Sequence, residues 1–333
     1  MAKIDAFFKL MHEQDASDLH LLSGSQPLLR IRGDMERIKY NELGNEELKS
    51  MLYEIAPEEK VKAFEETGDV DFAYEIPGLA RYRANFFMQQ NGVAAVFRQI
   101  PSEIKSIDEL ELPPILKRLA LLTKGLILVT GPTGSGKSTT LAAIIDYANK
   151  QRKEHILTIE DPVEFIHRHH GCTVNQREIG THTKSFAVAL RAALREDPDI
   201  ILVGEMRDIE TISLALEAAA TGHLVLSTLH TQSATTTVER IIDVFPAHQQ
   251  AQIRSTLSDT IKAVLAQTLF KRADVKGRCA ALEILIGTYA VSNLIREGKT
   301  YQLSSTLQTG KKFGMQPLDD AIMELLIKGW ISP

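Results

Sequence analysis

The residues best suited to chemistry in this 333-residue chain form one short segment, 131–138, which reads G-P-T-G-S-G-K-S. It matches the phosphate-binding pattern G-x-x-x-x-G-K-[ST] at every fixed position. Glycines let backbone N–H groups curl around phosphate oxygens, the lysine bridges the β- and γ-phosphates, and the serine ligates Mg²⁺. We therefore expect nucleotide binding by this loop and the residue after it: Gly131, Pro132, Thr133, Gly134, Ser135, Gly136, Lys137, Ser138 and Thr139.

A phosphate-binding loop of this kind needs an acidic partner at the end of a neighbouring strand. Residues 200–203 read I-I-L-V and predict a buried strand, and Glu205 follows one residue after it. Because ligands bind at the carboxyl edge of a parallel sheet, we expect Glu205 to face the nucleotide and to share the Mg²⁺ shell with Ser138. Asp208 is more typical of a helix N-cap.

A second acidic cluster follows another predicted strand. The segment 159–165 reads I-E-D-P-V-E-F and carries three carboxylates, those of Glu160, Asp161 and Glu164. Such a cluster beside a phosphate-binding loop indicates activation of the attacking water. The residue types and spacing alone do not say which carboxylate is the base.

Two histidines, His223 and His230, bracket a third apolar strand at 224–229. His230 follows the carboxyl end of that strand, where a sensor of the γ-phosphate would lie. The pattern alone leaves a structural role for both histidines equally open. A zinc site is not expected, because a cysteine cluster and the H-E-x-x-H spacing are both missing from the sequence.

These residues must be positioned by a regular scaffold, and the sequence predicts one. Apolar strands alternate with helices beyond residue 115, which is typical of an α/β domain with a mostly parallel sheet. The expected strands are 125–130, 155–160, 199–204 and 224–229. Residues 246–267 predict one further helix. Residues 1–100 predict a small α+β domain, and the proline-containing segment 101–114 predicts a linker to the domain at 115–333.

Composition narrows the class of protein. Hydrophobic residues make up 44% of the chain and charged residues 24%, which is typical of a globular protein rather than a disordered one. Two cysteines exclude a disulfide framework and favour a reducing compartment. No apolar run approaches the roughly 18 residues of a membrane span, and the start, M-A-K-I-D, does not resemble a signal peptide.

Charge argues against a nucleic-acid partner. The net charge is −5 overall, with −7 in residues 1–117 and +2 in residues 118–333. Neither part has the basic, aromatic-lined stripe of a nucleic-acid translocase. We therefore expect no binding of DNA or RNA, and a RecA-like translocase is the least favoured alternative.

Several motifs in one order identify a family. After the phosphate-binding loop come E-D-P-V-E-F at 160–165, G-E-M-R-D at 204–208 and G-H-L-V-L-S-T-L-H at 222–230. The set resembles the secretion-superfamily ATPases of type II secretion and type IV pili, and within it the pilus retraction ATPases. The segments S-D-L-H-L at 17–21, R-I-I-D-V-F-P at 240–246 and N-L-I-R-E-G-K at 293–299 extend the resemblance over nearly the whole chain.

The resemblance implies a fold and a set of roles. The fold is a PAS-like α+β N-terminal domain followed by a RecA-like P-loop ATPase domain with C-terminal helices, assembled as a homohexamer that uses ATP and Mg²⁺. Glu205 becomes the Walker B glutamate and Glu164 the general base, with Glu160 as the next candidate. The resemblance also implies functional roles for His223 and His230, and it places Arg240 near the γ-phosphate.

In this family, arginines of the N-terminal domain also contact the nucleotide, and Arg81 and Arg83 match those arginines. The pattern supports this independently. Both arginines alternate with apolar residues of segment 80–84, so they project from the same face of a predicted strand. Two guanidiniums on one face can clamp phosphate oxygens.

The function implied is a motor that hydrolyses ATP to power type IV pilus retraction and twitching motility. Its expected partners are an inner-membrane pilus platform protein and, in some systems, a paralogous pilus ATPase. Its expected location is cytoplasmic, peripheral at the inner membrane. One departure bears on this function, because Ser292 stands where retraction motors typically carry an arginine.

Two alternatives remain within the family. An accessory paralogue that modulates another pilus motor is favoured by Ser292. An extension or type II secretion ATPase is less favoured, since those enzymes typically carry a four-cysteine zinc element and a longer N-terminal region.

Overall fold

The computed structural model describes residues 3–31, 33–100 and 103–332. The chain divides into two compact units, Met1–Glu103 and Ile104–Pro333. This division lies inside the segment 101–114 that the sequence predicts as a linker. Within that segment, Ile107 and Leu112 bury their side chains in the core of the second unit. Residues 101 and 102 lie outside the described part of the chain.

The first unit is built on one antiparallel sheet with the strand order β3-β2-β1-β6-β5-β4. Its elements are α1 (Asp5–Glu13), β1 (Asp18–Leu22), β2 (Leu28–Ile31), β3 (Asp34–Arg37), α2 (Asn45–Ile55), α3 (Glu58–Thr67), β4 (Asp69–Ile76), β5 (Ala80–Gln89) and β6 (Gly92–Ile100). This arrangement confirms the predicted PAS-like α+β domain.

Aromatic side chains form the centre of this unit. Phe8 of α1 contacts Tyr82 of β5 at 4.3 Å and Phe97 of β6 at 4.9 Å between ring centroids. Alternation along β5 buries Tyr82 and turns Arg81 and Arg83 to the other face. Both arginines therefore share one face, as the sequence pattern predicts.

The second unit is a seven-stranded sheet with the order β13-β12-β7-β11-β10-β8-β9. Its strands are β7 (Gly125–Thr130), β8 (His155–Glu160), β9 (Thr173–Glu178), β10 (Ile200–Val203), β11 (Leu224–Leu229), β12 (Ile261–Lys271) and β13 (Arg278–Ile286). Its helices are α4 (Ile115–Ala120), α5 (Lys137–Gln151), α6 (Phe186–Ala193), α7 (Ile209–Ala220), α8 (Ala234–Asp243), α9 (Ala247–Thr260), α10 (Tyr289–Arg296), α11 (Leu303–Thr309) and α12 (Leu318–Ile327).

Parallel pairing runs through this sheet except between β12 and β13, which are antiparallel. Fully buried strands carry apolar side chains to both faces, where helices cover them. The predicted α/β architecture with a RecA-like ATPase domain is confirmed. Among the described residues, no helix combines the length and the apolar character that crossing a membrane requires.

The prediction of one helix over 246–267 is wrong in its last third, residues 261–267. Helix α9 ends at Thr260, and the chain continues directly as β12 from Ile261. Strand β12 pairs with β7 on one side and β13 on the other. The segment 261–267 is a short, mostly apolar run, and such runs are buried equally well as helix or strand. Pairing with β7 decides the outcome here.

Candidate functional site

The phosphate-binding loop lies at the carboxyl edge of the sheet, between β7 and α5. Gly131, Gly134 and Gly136 have φ angles of 139°, 79° and 84°, a region that favours glycine. A Cβ atom on Gly131 would approach the carbonyl oxygen of Gln267 to 2.3 Å. The loop glycines therefore meet both a conformational and a steric requirement.

Lys137 is the buried cation of this loop. Its Nζ donates hydrogen bonds to the carbonyl oxygens of Gly131, at 2.9 Å, and Pro132, at 3.1 Å. Burial lowers the pKa of Lys137, and the nearby carboxylates of Glu205 and Glu164 oppose that shift. The fold thus places Lys137 close enough to both predicted catalytic carboxylates, Glu205 and Glu164, for their charges to influence its pKa.

The loop fits a phosphate group. The hydroxyl oxygen of Ser135 is buried, and it has no hydrogen-bond partner among the described residues. Ser138 and Thr139 lie half-buried in the first turn of α5, whose N-terminal amides point toward the loop. An unpaired hydroxyl, a buried ammonium and a helix N-terminus together suit a nucleotide phosphate.

Glu205 is held by two basic side chains. Its Oε1 lies 2.9 Å from His230 Nε2, and it also pairs with Arg207. The hydroxyl of Thr228 donates to the carbonyl of Gly204 at 2.7 Å, which ties the end of β11 to the end of β10. The structure therefore places His230 beside Glu205, at the carboxyl end of β11, and the roles of both residues stay predictions.

Two carboxylates of the acidic cluster have different surroundings. Glu160 accepts hydrogen bonds from the Thr158 hydroxyl at 2.6 Å and the Gln176 amide at 3.2 Å. Burial raises the pKa of Glu160, although these hydrogen bonds and the Glu164 backbone N–H oppose the rise. Glu164 is exposed and lies close enough to Lys137 to influence its pKa. Glu160 is committed to structural contacts, whereas Glu164 is available to solvent.

His223 does not join this group within one chain. Its backbone carbonyl accepts from Gly125, the first residue of β7, whereas the phosphate-binding loop follows the last. Six residues of strand separate these two edges by about 20 Å. His223 Nδ1 instead contacts the carbonyl of Ala218 at 2.9 Å. Strand β11 carries His223 to the edge opposite the phosphate-binding loop of the same chain, and a role for His223 on a nucleotide stays a prediction.

The predicted arginines are distributed over both units. Arg240 is exposed near the C-terminal end of α8. In the first unit, Arg83 is exposed and pairs with Asp71 at 3.5 Å, whereas Arg81 is half-buried. Their roles on a nucleotide stay predictions.

Sequence reasoning did not single out Arg207 and Gln267. Arg207 stands inside the G-E-M-R-D motif, so its position next to Glu205 was a readable signal. Gln267 carried no signal because its segment read as a helix. It lies on β12, and its Nε2 donates to the Ser135 carbonyl at 2.6 Å.

The chain has clear relatives among known proteins. The family described as "Type II/IV secretion system protein" matches residues 81–313. The type IV pilus retraction ATPase PilT of Pseudomonas aeruginosa is 53% identical over 320 residues, covering 96% of this chain and 93% of that protein. A crystal structure of the pilus retraction motor PilT with bound ADP has a TM-score of 0.93 at 45% identity, covering 100% of this chain and 95% of that one.

The chain belongs to the type II/IV secretion system family. The predicted resemblance is confirmed, and the protein is an ATPase of this family. A more distant relative is the pilus ATPase PilU of Pseudomonas aeruginosa, 40% identical over 330 residues, or 99% of this chain and 86% of that protein.

The sequence predicts that Mg²⁺ accompanies the nucleotide at this site. Among the described residues there is no group of three or more His, Cys, Asp or Glu side chains arranged to hold a metal ion. Mg²⁺ in nucleotide enzymes is bound by one or two protein ligands, waters and the phosphates themselves. The Ser138 hydroxyl and the Glu205 carboxylate are the side chains suited to that role.

Proposed function

We propose that the protein is a hexameric ATP-hydrolysing motor that powers type IV pilus retraction. The observation that carries the proposal is the buried Lys137 ammonium in the phosphate-binding loop, whose pKa is influenced by the nearby carboxylates of Glu205 and Glu164. Identity of 53% to a retraction ATPase over nearly the full length supports the retraction role over other uses of the same site.

Lys137, Glu164 and His230 have different roles in ATP hydrolysis. Lys137 and the loop amides hold the β- and γ-phosphates, and Lys137 neutralises negative charge that develops on the γ-phosphate. Glu164 accepts a proton from the attacking water. His230 keeps the Glu205 carboxylate oriented toward the phosphates. Ser138 and Glu205 would hold Mg²⁺, which would neutralise further negative charge on the phosphates.

The conformational change of the motor depends on arginines that bind the nucleotide. Arg81 and Arg83 bind phosphate oxygens through bidentate hydrogen bonds, and Arg240 stabilises the γ-phosphate. Each cycle of ATP binding and product release then changes the conformation of the hexameric ring. The mechanical partner is a pilus platform protein of the inner membrane, so the motor works at the cytoplasmic face of that membrane.

A second candidate, an accessory paralogue, rests on Ser292. In this chain the Ser292 hydroxyl donates to the carbonyl of Ser258 at 2.6 Å, which fastens α10 to the end of α9. Retraction motors typically have a guanidinium at this position. A chain without that charge is suited to assist another motor rather than to act on the platform alone.

Timing of pilus retraction in cells tests the two candidates. We would delete the gene, label the pili fluorescently and restore either the native chain or the Glu205→Ala variant. Retraction that stops on deletion and returns only with the native chain supports the motor. Retraction that continues after deletion contradicts it and favours the accessory paralogue.

A further inference from the structure

Gln267 is a buried polar side chain that contacts the phosphate-binding loop from a different strand. It lies on β12, one residue beyond Ala266, which pairs with Thr130 at the end of β7. The side chain is 3% exposed, so solvent does not satisfy its amide. A buried amide must find hydrogen-bond partners within the protein.

Both ends of the Gln267 amide are satisfied by the nucleotide-binding segment. Nε2 donates to the Ser135 carbonyl at 2.6 Å, and Oε1 accepts from the Thr140 hydroxyl at 2.7 Å. Because a carbonyl oxygen only accepts, the amide nitrogen is the end that faces Ser135. Gln267 therefore joins the loop to the first turns of α5.

The contact with Ser135 sets the direction of a neighbouring amide. The peptide group between Ser135 and Gly136 is planar, with its C=O and N–H pointing in opposite directions. A carbonyl turned toward β12 therefore turns the Gly136 N–H away from β12, as a donor for a phosphate oxygen. A Cβ on Gly136 would approach the Gln267 amide nitrogen to 2.9 Å, so glycine keeps this arrangement possible.

We propose that Gln267 is a positioning residue that orients the Gly136 N–H for phosphate binding, with Thr140 holding its amide in place. The inference rests on the nucleotide site of the proposed function and does not depend on pilus retraction. Neither Leu nor ionised Glu can replace it, because neither donates a hydrogen bond to the Ser135 carbonyl.

The expected effect is on nucleotide affinity. The Gly136 N–H contacts phosphate in both the bound substrate and the transition state, so its loss weakens both equally. Gln267→Leu and Gln267→Glu should raise the KM for ATP and the Kd for ADP by about tenfold or more while kcat changes by less than about threefold. A purely structural role would lower the fraction of active enzyme, reducing kcat and leaving KM unchanged.

Full-length purified protein is used, with ADP titration calorimetry and steady-state ATP hydrolysis. Thr268→Val is the matched control, since Thr268 neighbours Gln267 on β12 but points to the opposite face. Thr140→Val should raise the ADP Kd by a smaller factor, and Thr140→Ser, which keeps the hydroxyl, should restore it.

An ADP Kd that is unchanged in folded Gln267→Leu overturns the proposal, as does a fall in kcat at constant KM. If both Gln267 variants fail to fold, Thr140→Val decides, and an unchanged ADP Kd in that variant again overturns it. ADP binding does not require hydrolysis or pili. The measured ADP affinity therefore tests the role of Gln267 even if the proposed motor function is wrong.

Discussion

The Nε2 atom of His230 lies 2.9 Å from Oε1 of Glu205, where two adjacent parallel strands end. The Glu205 side chain is only 18% exposed, so its orientation depends on protein partners more than on water. Partners of this kind typically contribute tenfold to a hundredfold to activity at metal-dependent sites.

His230→Ala should therefore lower ATP turnover by about tenfold or more while ADP binding changes little, because His230 acts through Glu205. His230→Gln, which keeps a donor for the carboxylate, should retain more activity. Steady-state hydrolysis and ADP titration measure the two effects. His223→Ala, at the other end of the same strand, should leave ADP affinity unchanged. An equal loss of ADP affinity in both variants contradicts this assignment.

The sequence predicts much of this site because the phosphate-binding loop, Glu205 and His230 each follow an apolar strand. Parallel strands end at one edge, so residues that follow them meet there. The same rule would have placed His223 at the opposite edge, since it precedes its strand.

The sequence did not predict Gln267 as part of the site, for a different reason. Nothing in the segment 261–267 separates a buried strand from the end of a helix, so the pairing of β12 with β7 was not readable. Gln267 therefore looked like a polar residue on a helix. Its contacts with Ser135 and Thr140 span more than 120 residues of sequence and depend on that pairing.

The acidic cluster gives a prediction about the general base. Glu164→Gln should keep ATP binding and lower turnover by about 10² to 10⁴, because the amide cannot accept the proton of water. ATP binding and steady-state hydrolysis are measured on the same preparation. Glu160→Gln is the matched control, since Glu160 is engaged by Thr158 and Gln176. Turnover at the native rate in Glu164→Gln, with loss in Glu160→Gln, would move the base to Glu160.

His167 makes stability sensitive to acid. Burial lowers the pKa of His167 to about 4, with Asp146 opposing the shift, and its Nδ1 has no hydrogen-bond partner in the described part of the chain. In the unfolded chain a histidine has a pKa of about 6.5, so the folded state binds fewer protons below that pH. The stability is therefore complete above pH 6.5 and is lost progressively as the pH falls toward 4.

The variant His167→Gln should flatten this dependence, because it removes a contribution of up to about 3 kcal/mol to the pH dependence of the unfolding free energy. Urea denaturation at pH 7 and pH 5 measures it. His248→Gln, an exposed substitution in the first turn of α9, serves as the control. If the native chain and His167→Gln lose the same free energy of unfolding between the two pH values, His167 does not titrate as described.

Ser292 provides the test that separates a motor from an accessory paralogue. Its hydroxyl reaches the Ser258 carbonyl, while Arg296 of the same helix pairs with Asp259 at 2.7 Å, so α10 is fastened to α9 without a residue-292 guanidinium. If the protein is the motor, the native chain should support retraction in cells that keep the extension ATPase but lack every other retraction ATPase. Ser292→Arg should then leave ATP turnover unchanged and retraction at least as fast.

Ser292→Ala, which removes the hydroxyl without adding charge, is the control. Retraction that appears only with Ser292→Arg would show that the native chain lacks the contact a retraction motor needs.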